Sequence, residues 1–131
     1  MVIDTSALLA VLLKEPEAPR IAQAIEDAPV RLLSAANLLE ASMVIESRKG
    51  EEGARDLDLL LYRTGIEVVA VDQSQAEIAR RGWRQFGKGR HAASLNYGDC
   101  FAYALAKSRN LPLLFQGRDF KHTDVQQVPL P

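Results

Sequence analysis

Four carboxylates in this chain sit where an apolar stretch meets a turn or a helix start. They are Asp4 in Val2-Ile3-Asp4-Thr5-Ser6, Glu40 in Asn37-Leu38-Leu39-Glu40, Asp99 in Asn96-Tyr97-Gly98-Asp99, and Asp119 in Phe115-Gln116-Gly117-Arg118-Asp119-Phe120. An unpaired buried carboxylate is costly, and several in one pocket repel one another unless a cation neutralises them. A fold that gathers these acids therefore implies a divalent metal ion. Ligands that are all oxygen select a hard cation, and magnesium takes one or two carboxylates while keeping several waters. Cys100, His91 and His122 are isolated in the sequence, so no His/Cys set suggests zinc.

Each acid also has a local reading. Asn37 with Glu40, and Asn96 with Asp99, have the N-x-x-acid spacing of a capping-box-like helix start. Asp4 can cap a first helix, and Asp119 can stabilise a turn after Gly117. Taken singly, the two Asn-acid pairs favour capping. The joint appearance of four acids where one sheet could bring them together favours the site.

The elements that must position them alternate between short β-rich runs and longer helical patterns. Val2-Ile3 opens a strand, and Thr5-Ser6 offers N-cap hydroxyls to a helix Ala7 to Leu13. Pro16 and Pro19 end that helix and start another, Arg20 to Ala28. Val30 to Ser34 reads as strand, Leu38 to Arg48 as an apolar helix ending at Gly50, and Glu51-Glu52 as the start of a helix that Gly65 stops. Ile66 to Val71 is a β-branched strand, Gln75 to Phe86 an amphipathic helix, and Tyr97 to Ser108 a helix so apolar that most of its surface must be buried. Leu111 to Phe115 is a fourth strand, and Val125 to Val128 a candidate short fifth. The alternation predicts an α/β fold with a mainly parallel sheet of four to five strands between two layers of helices. Such sheets carry their functional groups outside the carboxyl ends of the strands.

Bulk properties bound the rest. At 131 residues, the chain is expected to form a single domain able to bury its own core. A net charge of -1 gives no global attraction to nucleic acid or anionic membrane, so any such affinity must be local. The single cysteine excludes an internal disulfide, and no apolar run is long enough to span a bilayer. Asp4 comes too early for a charged secretion leader, so a cytoplasmic protein is expected.

Val2 to Ala10, the Glu40 helix, Tyr97 to Ala106 and Leu113 to Phe120, in this order, resemble a PIN domain, and more closely the VapC-type toxins of bacterial toxin–antitoxin pairs. The resemblance runs over nearly the whole chain and rests on the ordered set of blocks. It implies a magnesium- or manganese-dependent endoribonuclease, with Asp4 and Asp99 as metal ligands, Glu40 as the second acid of the set and Asp119 as the fourth. Arg118 stands where the family often has Asn. The ion would polarise the scissile phosphate and deliver a water in line, and Glu40 or Asp119 would orient that water or take its proton. Thr5 and Ser6 are candidates to hold a metal water or a phosphate oxygen. The resemblance also implies a homodimer and an antitoxin whose carboxyl-terminal segment obstructs the acidic crevice, with the apolar helices between Arg20 and Tyr62 as the docking face.

A contact surface for RNA is expected between Glu77 and Asp99, which holds no acid but carries Arg80, Arg81, Arg84, Lys88, Arg90 and His91. Arg84, Lys88 and Arg90 are its substrate-binding candidates, on or beside the glycine-rich loop Gly87 to His91. Trp83 is read as turned to the core. Cys100 is read as a core residue and His122 as part of a surface turn. Two classes of alternative compete with the nuclease, an RNA-binding module and a phosphate-handling domain. A module that holds RNA without cutting it would need the same patch and ion. A dehalogenase-type phosphoryl-transfer enzyme would need an Asp where Ser6 stands, and a receiver domain would need an adjacent acidic pair.

Overall fold

Val2 and Ile3 are both fully buried, yet they point into two different cores, and this alternation organises the molecule. The computed structural model describes residues 1–89 and 91–131. Its elements run β1 (Val2–Ile3), α1 (Thr5–Leu12), α2 (Ala18–Asp27), β2 (Leu32–Ser34), α3 (Ala35–Thr64), β3 (Glu67–Val69), α4 (Gln73–Phe86), α5 (Tyr97–Arg109) and β4 (Leu113–Leu114). The strands form one four-stranded sheet, ordered β3-β2-β1-β4, and every pairing is parallel. Ile3, Leu33 and Leu114 face the core shared with α1, α2 and α3, while Val2, Leu32 and Leu113 face the core under α4 and α5. The result is the three-layer α/β/α sandwich expected from the alternation of elements.

Several boundaries differ from the sequence reading, each for a local reason. The first helix begins at Thr5 and not Ala7, because Asp4, not a hydroxyl of Thr5 or Ser6, is its N-cap. The segment Val125 to Val128 contributes only a single parallel bridge, Gln127 to Leu113, so the sheet has four strands and no fifth among the described residues. β4 shortens to two residues, and the third strand shortens to three, lying at an exposed sheet edge. The element α3 is two helical arms joined at Gly50, whose φ of 59° and ψ of -146° favour glycine. Gly53 packs against Ile45, so the second arm folds back on the first. Trp83 is not turned to the core: it is 40% exposed. Gly82, one position before it, takes the buried place instead, against the Tyr103 ring.

Strand order sets where a ligand can go. From β1 the chain steps outward to β2 and β3, then returns to the other side of β1 as β4. The direction therefore reverses between β1 and β4, and the crevice outside their carboxyl ends is the open position in such a sheet. Crossover helices run back along the strands, which puts the N-termini of α1, α3 and α5 at the same rim. Among the described residues, no helix is long and apolar enough to cross a membrane.

Candidate active site

Asp4 follows β1 directly and is 3% exposed. Its Oδ2 accepts from the Ser6 main-chain N–H at 2.9 Å and from Ser6 Oγ at 2.6 Å. Ser6 Oγ in turn accepts from the Gln116 main-chain N–H at 3.0 Å, tying the start of α1 to the turn that follows β4. Burial raises the Asp4 carboxyl from the ordinary 3.8 to about 6; the Ser6 hydrogen bonds pull the other way, and the Glu40 charge pushes it further up. Thr5 is buried, and its hydroxyl donates to the Asn37 carbonyl at 3.4 Å.

Asp99 is 9% exposed on the first turn of α5 and closes a capping box. Its Oδ2 accepts from the Asn96 N–H at 3.1 Å, and Asn96 Oδ1 accepts from the Asp99 N–H at 2.9 Å. The local reading of Asp99 as a capping-box acid is therefore met, and it leaves the carboxylate at the start of α5. Burial raises its carboxyl to about 7; the Asn96 bond opposes this, and the charges of Asp4, Asp119 and Glu40 add to it.

Glu40 reaches the site by a different route from the expected cap. The N-cap of α3 is Ser34, whose Oγ accepts from the Ala36 N–H at 3.3 Å, so Asn37 lies inside the first turn. Asn37 Nδ2 donates to Glu40 Oε1 at 3.3 Å and to the Gly98 carbonyl at 3.0 Å. The Glu40 carboxylate lies directly over Gly98, where any Cβ would collide with it. Asn37 Oδ1 is buried without a hydrogen-bond partner among the described residues, a cost of about 1–3 kcal/mol. Asn37 and Gly98 were not picked out as site residues in the sequence. The available signal was a glycine in a helical first turn, where Gly is disfavoured unless close approach requires it.

Asp119 is exposed on the turn after β4 and meets the other acids through its charge on Asp99. Among the described residues, no group of three or more His, Cys, Asp or Glu side chains could by itself hold a metal ion. Arg84 and Lys88 are exposed at the end of α4, and Arg90 lies outside the described residues. The loop beyond α4 is pinned at its base: Lys88 N–H donates to the Leu95 carbonyl and Leu95 N–H to the Phe86 carbonyl, both at 2.9 Å. His122 is exposed on a turn. Cys100 is buried, and burial together with the Asp99 charge pushes its thiol up to about 11.

Residues 1–126 match the PIN domain family. Ribonuclease VapC30 of Mycobacterium tuberculosis is 56% identical over 131 residues, covering all of both chains. The solved structure of VapC20 from Mycobacterium tuberculosis, a sarcin-ricin loop cleaving toxin, superposes with a TM-score of 0.79 at 18% identity, covering 99% of this chain and 98% of that one. A toxin–antitoxin complex from Klebsiella pneumoniae contains a chain with a TM-score of 0.68 at 20% identity, covering 94% of this chain and 92% of that one. At those identities the two structures speak for the fold alone; the full-length sequence likeness carries the family. This chain belongs to the PIN-domain family and, within it, to the VapC ribonucleases.

Proposed function

We propose that the chain is a divalent-metal-dependent endoribonuclease, the toxin of a toxin–antitoxin pair, and that Asp4, Glu40, Asp99 and Asp119 form its catalytic centre. The observation that carries this reading is geometric: Asp4 at the end of β1 and Asp99 on the first turn of α5 are both buried carboxylates, and the Glu40 carboxylate lies against Gly98, next to Asp99. Like charges held this way are a standing cost that a cation relieves. Asp4 and Asp99 hold the ion. The donors are all oxygen, and magnesium needs only one or two carboxylates beside its waters, so an open set suits Mg2+, with Mn2+ as the alternative.

When bound, the ion supplies Lewis acidity toward the scissile phosphate and lowers the pKa of its water. The chain's own residues do the rest. Ser6 fixes the Asp4 carboxylate and links it to Gln116. Glu40, steadied by Asn37, and the exposed Asp119 are left to orient the attacking water and to accept its proton. Thr5, whose hydroxyl is engaged by Asn37, supports the first turn of α1 behind the site. Arg84 and Lys88, together with Arg90, neutralise phosphates of the bound strand.

The partners follow from exposed apolar side chains. Leu39 and Met43 stand exposed four residues apart on α3, flanking Glu40, with Leu59 and Tyr62 exposed on its second arm. An antitoxin segment laid along Leu39 and Met43 reaches the acids directly, and a homodimer covers remaining apolar surface. The working compartment is the cytoplasm.

Incubating the purified chain with a panel of cellular RNAs in Mg2+, Mn2+ or EDTA, then mapping the cut ends, tests the reading. Discrete cuts that vanish in EDTA are expected. Binding without cleavage in either metal would replace the nuclease with a module that only holds RNA.

A further inference from the structure

A second groove, of 650 Å³, lies between α4 and α5 and ends at the turn that carries Asp99. That volume falls within the ~300–1,000 Å³ typical of small-molecule sites. Trp83, Tyr97 and Phe101 supply its aromatic walls and Arg80 and Lys88 its cationic flanks, and Asn96, the N-cap of α5, also lines it. Tyr97 is 82% exposed, yet its ring is braced edge-to-face on Phe101, with centroids 4.9 Å apart and an interplanar angle of 85°. Burial does not explain a braced ring as open to solvent as Tyr97, nor a second exposed aromatic, Trp83, lining the same groove, whereas stacking on a ligand does.

We propose that this groove takes one unpaired nucleobase of the RNA beside the scissile phosphate, and that Tyr97 and Trp83 thereby set which base is preferred at the cut. The inference rests on the ribonuclease reading above. Flat apolar walls with two cations at the flanks complement a base attached to a phosphodiester, since every base has a stacking face and every linkage a negative charge. Sequence-specific recognition of RNA commonly works on unstacked bases held against aromatic rings. Position supports the same occupant. Tyr97 and Asp99 share the first turn of α5, and residues two apart do not face the same way, so the groove and the acids flank that turn. Asn96 joins them: it lines the groove, and its capping box with Asp99 uses its Oδ1 and main-chain N–H, not its side-chain NH2.

Trp83 is the chain's one tryptophan, so its fluorescence reports on the groove directly and without any cleavage. Single-base oligoribonucleotides of about eight nucleotides, a length within OB-fold site sizes, are titrated onto the full chain in EDTA, with an RNA duplex as control. The single strands are expected to quench Trp83, unequally among the four bases, and the duplex is not. Tyr97→Ala, at a position exposed enough to spare the fold, is expected to weaken that binding about 5- to 100-fold, the loss of one stacked base, and to change the base distribution at mapped cut ends. Tyr97→Phe keeps both. No quenching by any base, or Tyr97→Ala cutting with the original preference, overturns the inference and leaves the nuclease standing; a protein segment would then be the groove's occupant. Quenching by a chain that cuts no RNA with Mg2+ or Mn2+ keeps the groove and removes the nuclease.

Discussion

Asn37 and Gly98, 61 residues apart, are joined by a 3.0 Å hydrogen bond from a side-chain amide to a main-chain carbonyl, which fastens the first turn of α3 to that of α5. The same amide steadies Glu40, and the Glu40 carboxylate presses on Gly98 with no room for a side chain between them. Gly98→Ala therefore pushes on the end of a flexible side chain and not on backbone. Stability should change by less than about 1 kcal/mol, because Ala is the better helix residue. Cleavage should fall on the order of 100-fold, the cost of a displaced catalytic group. Thermal melts alongside initial cleavage rates check the separation, and a variant that melts early and cuts normally would contradict it.

Asp4→Asn and Asp99→Asn remove one charge each without changing shape. Each loses a proposed metal ligand, so cleavage should drop by more than the roughly 10–100-fold typical of losing an outer-shell partner. The folds should survive: an Asn side chain can still accept from the Ser6 N–H at position 4, and from the Asn96 N–H at position 99. Near-normal cleavage by both purified variants, under metal concentrations that saturate the wild type, would remove the assignment.

The pH dependence of the metal-free protein has a definite sign. Asp4 near 6 and Asp99 near 7 both lie above the ordinary 3.8, so the folded chain holds protons that the unfolded chain gives up. Their contribution is fully present below about pH 4 and is lost as pH rises through the folded values. In EDTA the melting temperature should therefore fall between pH 5 and pH 8, and Mg2+ should recover more of it at pH 8, since a ligand that binds only the folded state stabilises it. The Asp4→Asn/Asp99→Asn double variant should flatten both effects; an unchanged slope would place their origin elsewhere.

Strand ends and helix starts were readable in the sequence, because apolar runs and punctuating residues are local signals. Val2-Ile3 running into Asp4, the buried helix behind Asp99 and the turn carrying Asp119 all lie where the sheet pattern put them. Glu40 shows the limit. Asn37-x-x-Glu40 and Asn96-x-x-Asp99 have identical spacing, yet only the second is a capping box, while Asn37 bonds across to Gly98. Spacing cannot distinguish the two cases, since the difference lies in a partner far along the chain. Trp83 failed for a related reason: an amphipathic pattern assigns the large residue inward, but Gly82 made room for Tyr103, and the tryptophan was left at the groove. The candidate fifth strand failed because a β-favouring run needs a continuous ladder, and only Gln127 forms one bridge.

Ser6 offers the finest discrimination between support and catalysis. Its hydroxyl donates to Asp4 at 2.6 Å and accepts from the Gln116 N–H at 3.0 Å, so it bridges β1 and the turn after β4 without carrying charge. Ser6→Ala leaves Asp4 its main-chain bond from position 6 but removes the stronger hydroxyl donor, which loosens the carboxylate. As a positioning residue, it should lower apparent metal affinity by about 10–100-fold and leave the rate at saturating metal much closer to wild type. Cleavage rates measured across a Mg2+ titration separate these effects. A loss that added metal cannot restore would mean that Ser6 touches the reacting phosphate itself, and restoration would identify it as the brace that holds Asp4 toward the ion.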